Sequence, residues 1–177
     1  MGKTPHTISL IFKVILKITV KKPGIISIED SSAASNLEQS NSSRRILVVD
    51  DDNDVRQLSV DVLIDSGYEV EAAKDGAAGW EALQTYDFDL VITDNKMPRM
   101  TGIDMLERLR AARMTVPVIM ATSHLPTHEF VGKPWLRPDA TLQRPFTNDD
   151  LLETVKRVLR GYDSYSAHIN LLFSRYL

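Results

Sequence analysis

Carboxylates are the residues of this chain whose spacing promises chemistry. The run Arg45-Ile46-Leu47-Val48-Val49 is apolar after its first residue and ends in Asp50, Asp51 and Asp52. Consecutive Ile, Leu and Val suit a strand buried on both faces. Three neighbouring carboxylates repel one another unless a proton or a cation sits among them. A second apolar run, Leu90-Val91-Ile92-Thr93, ends in Asp94. Parallel strands of an open α/β sheet put their carboxyl ends along one edge, where ligands bind. Were these two strands neighbours, Asp50, Asp51 and Asp94 would converge on one oxygen-rich pocket, and an oxygen-only donor set suits a hard divalent cation.

The elements that must position these acids follow from length and periodicity. The 177 residues suffice for one ordinary domain with tails. An apolar share of 43% is normal for a soluble fold with a sizeable core. The chain has no cysteine, which excludes disulfides, thiolate metal sites and thiol nucleophiles and fits a reducing, cytoplasmic setting. The net charge of −3 is unevenly spread: residues 1–45 carry +4 and residues 46–160 carry −7. An acidic middle argues against a nucleic-acid surface, because phosphate binding needs a basic face.

From Arg44 onward the period alternates between strand and helix. After the first strand, Val55, Leu58, Val62 and Leu63 recur at helical spacing, and Gly67 stops that helix. Tyr68 to Ala73 reads as a second strand, and Asp75 caps a helix carrying Ala78, Ala82 and Leu83. Asp89 to Thr93 is the third strand. Thr101 with Asp104 resembles a capping box, and Ile103, Leu106 and Leu109 line the inner side of the helix it opens. Val116 to Ala121 is the fourth strand, with Pro117 near its start where it breaks no ladder. Pro126, Gly132, Pro134 and Pro138 then fall where the pattern wants a fourth helix, and an interior proline costs about 3 kcal/mol, so a frayed helix or loop is expected. Ala140 to Gln143 is a short fifth strand. Thr147-Asn148-Asp149-Asp150 caps a last helix with Leu151, Leu152, Val155, Val158 and Leu159 on one face, ended by Gly161. Tyr162 to Leu177 is a tail, either a short docked helix through Ile169, Leu171, Leu172 and Phe173 or loose chain.

This pattern predicts an α/β, flavodoxin-like (βα)5 doubly wound parallel sheet with strand order 2-1-3-4-5 and an irregular fourth helix. That order makes strands one and three neighbours, as the carboxylate pocket requires. The domain is expected to span residues 44–160. Ahead of it, residues 29–43 are a serine-rich linker and residues 1–43 as a whole a poorly ordered extension. Residues 8–22 are apolar but interrupted by lysines: too short and too charged to span a bilayer or to serve as a signal-peptide core. On a helix, Lys13, Lys17 and Lys21 would share one face opposite Ile11, Phe12, Ile15 and Ile18, the pattern of a membrane-surface or partner-docking segment, though the bland reading as a loose extension is favoured.

Five motifs in order carry a resemblance: Ile46-Leu47-Val48-Val49-Asp50-Asp51, Asp89-Leu90-Val91-Ile92-Thr93-Asp94, Met97-Pro98-Arg99-Met100-Thr101-Gly102, Pro117-Val118-Ile119-Met120-Ala121-Thr122 and Arg144-Pro145-Phe146. Over residues 44–160 the chain resembles the receiver domain of two-component response regulators, of the single-domain type. The resemblance implies that Asp94 accepts a phosphoryl group from a phosphohistidine of a sensor histidine kinase or phosphotransfer protein. It implies Mg²⁺ as cofactor, with Asp51 and Asp94 as ligands, Asp50 in support and the backbone carbonyl of Lys96 supplying another oxygen. Thr122 matches the hydroxyl that binds the transferred phosphoryl oxygens, and Lys96 and His124 match positions that tune phosphoryl lifetime. The residue before Pro145 follows the family's equivalent turn in being joined to it by a cis bond. Gly102 and Pro98 shape the loop after Asp94; Asp52 and Asp54 cap a helix.

Two departures stand out. The family has lysine where this chain has Arg144, whose planar guanidinium either grips phosphate or pairs statically with Asp94. The ring that swings inward on phosphorylation is replaced by Thr141, which cannot reproduce that packing change; an ordering transition of the Ser123 to Pro138 segment is the alternative switch. The remaining residues are too few for a DNA-binding helix-turn-helix, so output is expected through contact with a downstream protein, a phosphorelay hop or something fused elsewhere. Two other readings compete. One is a degenerate receiver that serves as a phosphorylation-independent binding module. The other is a phosphatase of haloacid-dehalogenase type, which Asp50-x-Asp52 resembles, but Asp149 and Asp150 begin a helix where that family needs a late acidic pair.

Overall fold

A computed structural model describes residues 44–124 and 127–174. The expectations for residues 1–43 lie outside the described residues, as do Leu125, Pro126 and the last three positions. Five strands, β1 (Arg45–Val49), β2 (Glu69–Ala73), β3 (Leu90–Thr93), β4 (Val118–Thr122) and β5 (Ala140–Gln143), form one sheet in the order β2-β1-β3-β4-β5, every pair parallel. The helices are α1 (Asn53–Asp65), α2 (Gly76–Thr85), α3 (Gly102–Ala111) and α4 (Asn148–Ser174). This is the flavodoxin-like doubly wound arrangement that the alternating periods predict.

Burial along the strands explains the order. Every residue of β3 and β4 is buried, and β1 is buried after Arg45, so these three strands lie at the centre. β5 alternates buried and exposed residues and β2 is buried only at Ala73, as suits edge strands. Alternate side chains divide the core in two. Leu47, Val49, Val91, Val118 and Met120 face α2 and α3, meeting Leu83, Met105, Leu106 and Leu109. Ile46, Val48, Ile92, Ile119 and Ala121 face α1 and α4, meeting Leu63, Leu151, Val155 and Leu159.

Local chemistry sets the helix starts. Asp52 caps α1 by accepting from the Asp54 and Val55 amides, and Asp75 caps α2 through the Ala77 and Ala78 amides. Thr101 and Asp104 form a reciprocal capping box on α3. Gly67, at φ 87°, turns the chain out of α1 in the left-handed region that glycine adopts freely. The proline-rich stretch holds two short 3₁₀ turns, Thr127–Phe130 and Pro134–Leu136, in place of a fourth helix, anchored by buried Phe130 and Leu136.

Two details differ from expectation. Leu58 fits the helical spacing of α1, yet it is 56% exposed. Gly161 does not end the last helix, which runs on to Ser174. A helix-interior glycine costs about 1 kcal/mol relative to alanine. Just past it, the Tyr162 hydroxyl meets Thr115 Oγ1 at 3.0 Å and Asp163 accepts from Arg44 at 2.6 Å, so tertiary contacts hold the helix across that position. Among the described residues no helix is long and apolar enough to cross a membrane.

Candidate phosphoacceptor and metal site

The register of β1 and β3 pairs Val49 with Thr93, so the residues that follow, Asp50 and Asp94, leave adjacent strands at one level. The Asp94 amide donates to the Val49 carbonyl at 3.0 Å, and the Asp50 amide donates to the Ala73 carbonyl at 3.1 Å. Both aspartates are therefore held by sheet hydrogen bonds at the carboxyl edge. Asp50, Asp51 and Asp94 each offer one oxygen within 4.8 Å of the others. Asp50 and Asp94 are buried and Asp51 is exposed, so the cluster has a wet side. An all-oxygen donor set of this density fits a hard divalent cation.

Burial pushes the Asp50 carboxyl above the usual carboxylate range, with the charge of Asp94 adding to the rise. Arg144 and the Asp52 amide, which donates to Asp50 Oδ1 at 3.0 Å, oppose that rise without cancelling it. Arg144 follows β5, its peptide to Pro145 is cis, and its amide donates to the Thr122 carbonyl at 3.2 Å, which holds it beside the end of β4. Its Nη2 donates to Asp50 Oδ2, and its Nη1 lies 3.8 Å from Asp94 Oδ2. Its Nε is buried without a partner among the described residues. Arg144 is thus no surface arginine.

Thr122 closes β4 and is 1% exposed; its hydroxyl makes two long contacts, donating to the His124 carbonyl at 3.4 Å and accepting from the His124 amide at 3.5 Å. The hydroxyl is therefore weakly committed. Lys96, two residues past Asp94, lines a neighbouring cleft of about 600 Å³ with Asn95, His124 and His128. Thr141 points outward from β5 and is exposed. Asp149 and Asp150 sit in the first turn of α4, with Asp150 accepting from Thr147, far from the role a phosphatase would need.

Several supporting residues escaped the reading of the sequence. Arg56 donates to the Asp50 carbonyl at 2.6 Å and to Asn53 Oδ1 at 2.7 Å, turning back from α1 to brace the first acidic loop. Asn95 donates its amide to Asp94 Oδ1 at 2.6 Å and accepts the Gly102 amide on its carbonyl at 3.0 Å. A Cβ at Gly102 would strike the Asp94 carbonyl, and one at Gly76 would strike the Met100 carbonyl. Arg99, at φ 66°, donates through Nε to Asp75 Oδ2 at 2.9 Å. The loop from Asp94 to Gly102 is therefore pinned at both ends. The one legible signal was glycine next to a functional loop; the arginines carried none.

A sequence profile of the response regulator receiver domain matches residues 46–156. The transcriptional regulatory protein DltR of Streptococcus agalactiae is 34% identical over 112 residues, covering 63% of this chain and 50% of DltR. The chain thus spans about half the length of such curated relatives. Among solved structures, a CheY-like response regulator receiver domain protein from Methanospirillum hungatei superposes with a TM-score of 0.66 at 31% identity, covering 70% of this chain and 99% of that one. The response regulator protein TrrA from Thermotoga maritima, solved in complex with Mg(2+)-BeF, gives a TM-score of 0.57 at 29% identity, covering 65% of this chain and 98% of that one.

Proposed function

The chain belongs to the response regulator receiver domain family, and on that premise we propose that Asp94 accepts a phosphoryl group from the phosphohistidine of a sensor histidine kinase or of a phosphotransfer protein. In the transfer, an Asp94 carboxylate oxygen bonds to phosphorus as the phosphorus–nitrogen bond of the donor breaks. The imidazole leaves with the electron pair, and the product is an acyl phosphate. The carrying observation is the convergence of Asp94 with Asp50 and Asp51 within 4.8 Å at the carboxyl edge of the sheet. Asp50, Asp51, Asp94 and the backbone carbonyl of Lys96 would hold Mg²⁺. When bound, the cation supplies neutralisation of the charge gathering on the transferring oxygens. The likeness to a receiver solved with Mg(2+)-BeF supports that assignment.

Thr122 donates its hydroxyl to a phosphoryl oxygen once the group arrives; its weak bonding beforehand leaves it available. Arg144 releases Asp50 and turns its guanidinium to the phosphoryl oxygens, where a planar fork binds in bidentate fashion. The protein is a phosphoacceptor that assists its own phosphorylation and dephosphorylation, not a turnover enzyme. Its output runs through contact with a downstream protein in the cytoplasm, with no nucleic-acid partner for this domain.

Mass spectrometry after incubation with acetyl phosphate and Mg²⁺ tests the reading. The wild type should gain one phosphoryl group and Asp94→Ala none; an unlabelled wild type sinks it. One observation favours a second reading. The pairing of Arg144 with Asp50 fills the pocket with a charge of its own, as in a degenerate receiver that binds partners without phosphorylation. Beryllofluoride binding separates the two, since the degenerate receiver would not take it.

A further inference from the structure

At the end of the sheet away from Asp94, a cleft of about 640 Å³ opens between α4, the loop that follows α3 and the start of β4. Small-molecule sites run from roughly 300 to 1,000 Å³. Three arginines line the cleft, Arg110, Arg113 and Arg157, with one acid, Asp139. Asp139 is already committed: Arg110 pairs with it at 3.1 Å and the Val118 amide donates to it at 2.8 Å. Among the described residues, neither Arg113 nor Arg157 forms an ion pair within 4.0 Å, though Arg157 also borders a second cleft with Asp150 and Glu153. The cleft therefore presents two guanidinium groups outside any ion pair among the described residues, beside the rings of Tyr162 and Tyr165, of which Tyr165 is 67% exposed.

Two positions in this wall defy local preference in opposite ways. The residue just past the end of α3 adopts φ 56°, the conformation in which helices favour glycine, yet it is Arg113. Inside α4, where glycine costs about 1 kcal/mol relative to alanine, the residue is Gly161. A Cβ on Gly161 would meet nothing within 4 Å among the described residues, so packing against them does not demand its absence. A side chain kept where the backbone wants none, and none kept where the backbone wants one, meet in one cavity. Local rules broken together without a structural gain mark functional places.

We infer that this cleft binds a mononucleotide-sized aromatic anion. A flat base stacks on the exposed tyrosine face over the hollow left by Gly161. The phosphate is held by Arg113 and Arg157, whose planar forks suit it. The site lies at the opposite edge of the sheet from the three aspartates and does not depend on their role.

Isothermal titration of the full chain without divalent cations, using AMP and GMP, with adenosine and inorganic phosphate as separate arms, tests the inference. One saturable site for a mononucleotide is expected, with adenosine and phosphate each at least tenfold weaker. Arg113→Gly should fold at least as well as the wild type, because glycine suits that backbone. Combined with Arg157→Gln it should weaken the nucleotide by at least tenfold. Asp94→Ala should bind as the wild type does. Absence of saturable binding, binding that survives the double substitution, or phosphate alone binding as tightly as the nucleotide would each overturn it.

Discussion

Arg144 and Asp50, 94 positions apart in sequence, form a partly buried ion pair in which the arginine Nη2 donates to the carboxylate. The same guanidinium stands 3.8 Å from Asp94 and leaves its own Nε without a partner among the described residues. A cation entering the acidic pocket must compete with a charge already in it. Lysine at this position keeps a compact point charge but lacks the rigid planar fork that spans Asp50 and Asp94. Arg144→Lys should therefore bind Mg²⁺ more tightly, by about tenfold, equivalent to about 1.4 kcal/mol. Calorimetric titration of both proteins with MgCl₂ checks this. Equal or weaker binding by the variant would mean that the pair does not oppose the metal.

Asp51 shows the same tension from the exposed side. It adds a third negative charge within 4.8 Å of two others, and like charges at that range repel. Asp51→Asn should raise the stability of the fold, by about 0.5–2 kcal/mol as surface-charge relief commonly does. It should also weaken Mg²⁺ binding. Urea titration and metal titration of one preparation read both effects, and a variant that is less stable without metal contradicts the repulsion argument.

Asp75 and Arg99 supply a pH dependence whose direction is set by the sign of the shift. Burial alone would raise the Asp75 carboxyl, but Arg99 and the Ala77 and Ala78 amides win, leaving it below the usual carboxylate value. A group depressed in the folded state adds stability above its unfolded value, about 3.9 for aspartate, and loses it as pH falls through the folded value. Asp75→Asn keeps an N-cap side chain but drops the charge, and a hydrogen bond to a charged group contributes about 1.5–3 kcal/mol. The wild type should exceed the variant in stability at neutral pH, and the gap should shrink as pH drops below about 4. Urea unfolding at both pH values measures it. A gap that persists in acid would assign the difference to packing instead of charge.

The same contacts explain what could be read from residues alone. Asp50 and Asp94 were legible because each follows an apolar run, and a parallel sheet gathers such ends on one edge. The capping box at Thr101 and the caps at Asp52 and Asp75 were legible because capping is local. The latch between Asp75 and Arg99 was not, since it joins two loops 24 positions apart through a left-handed backbone at a non-glycine residue. The extent of α4 was hidden for a similar reason. Gly161 is a helix-stop signal in isolation, and the bonds from Tyr162 to Thr115 and from Asp163 to Arg44 that override it are long-range. Leu58 fitted the spacing of a buried face, but the fold turns that part of α1 to solvent.

The region between β4 and β5 gives the last expectation. Thr141 is exposed on β5 and offers no ring to swing inward. Next to Thr122, the chain instead makes two short 3₁₀ turns, seated by Phe130 and Leu136 and tied to α3 by the Lys133 to Glu107 pair at 3.0 Å. Val131, 79% exposed, and Trp135, 62% exposed, stand out from it. Short 3₁₀ turns hold few backbone bonds, so such a segment opens at low free energy. If Thr122 turns its hydroxyl to an arriving phosphoryl oxygen, its long contact with His124 breaks and the start of this segment must move with it. Amide hydrogen exchange with Mg²⁺ and beryllofluoride, compared with Mg²⁺ alone, should therefore change protection across Ser123 to Pro138 while leaving β1 and β3 unaltered. Unchanged exchange across that stretch, in protein shown to bind beryllofluoride, would place the switch elsewhere in the fold.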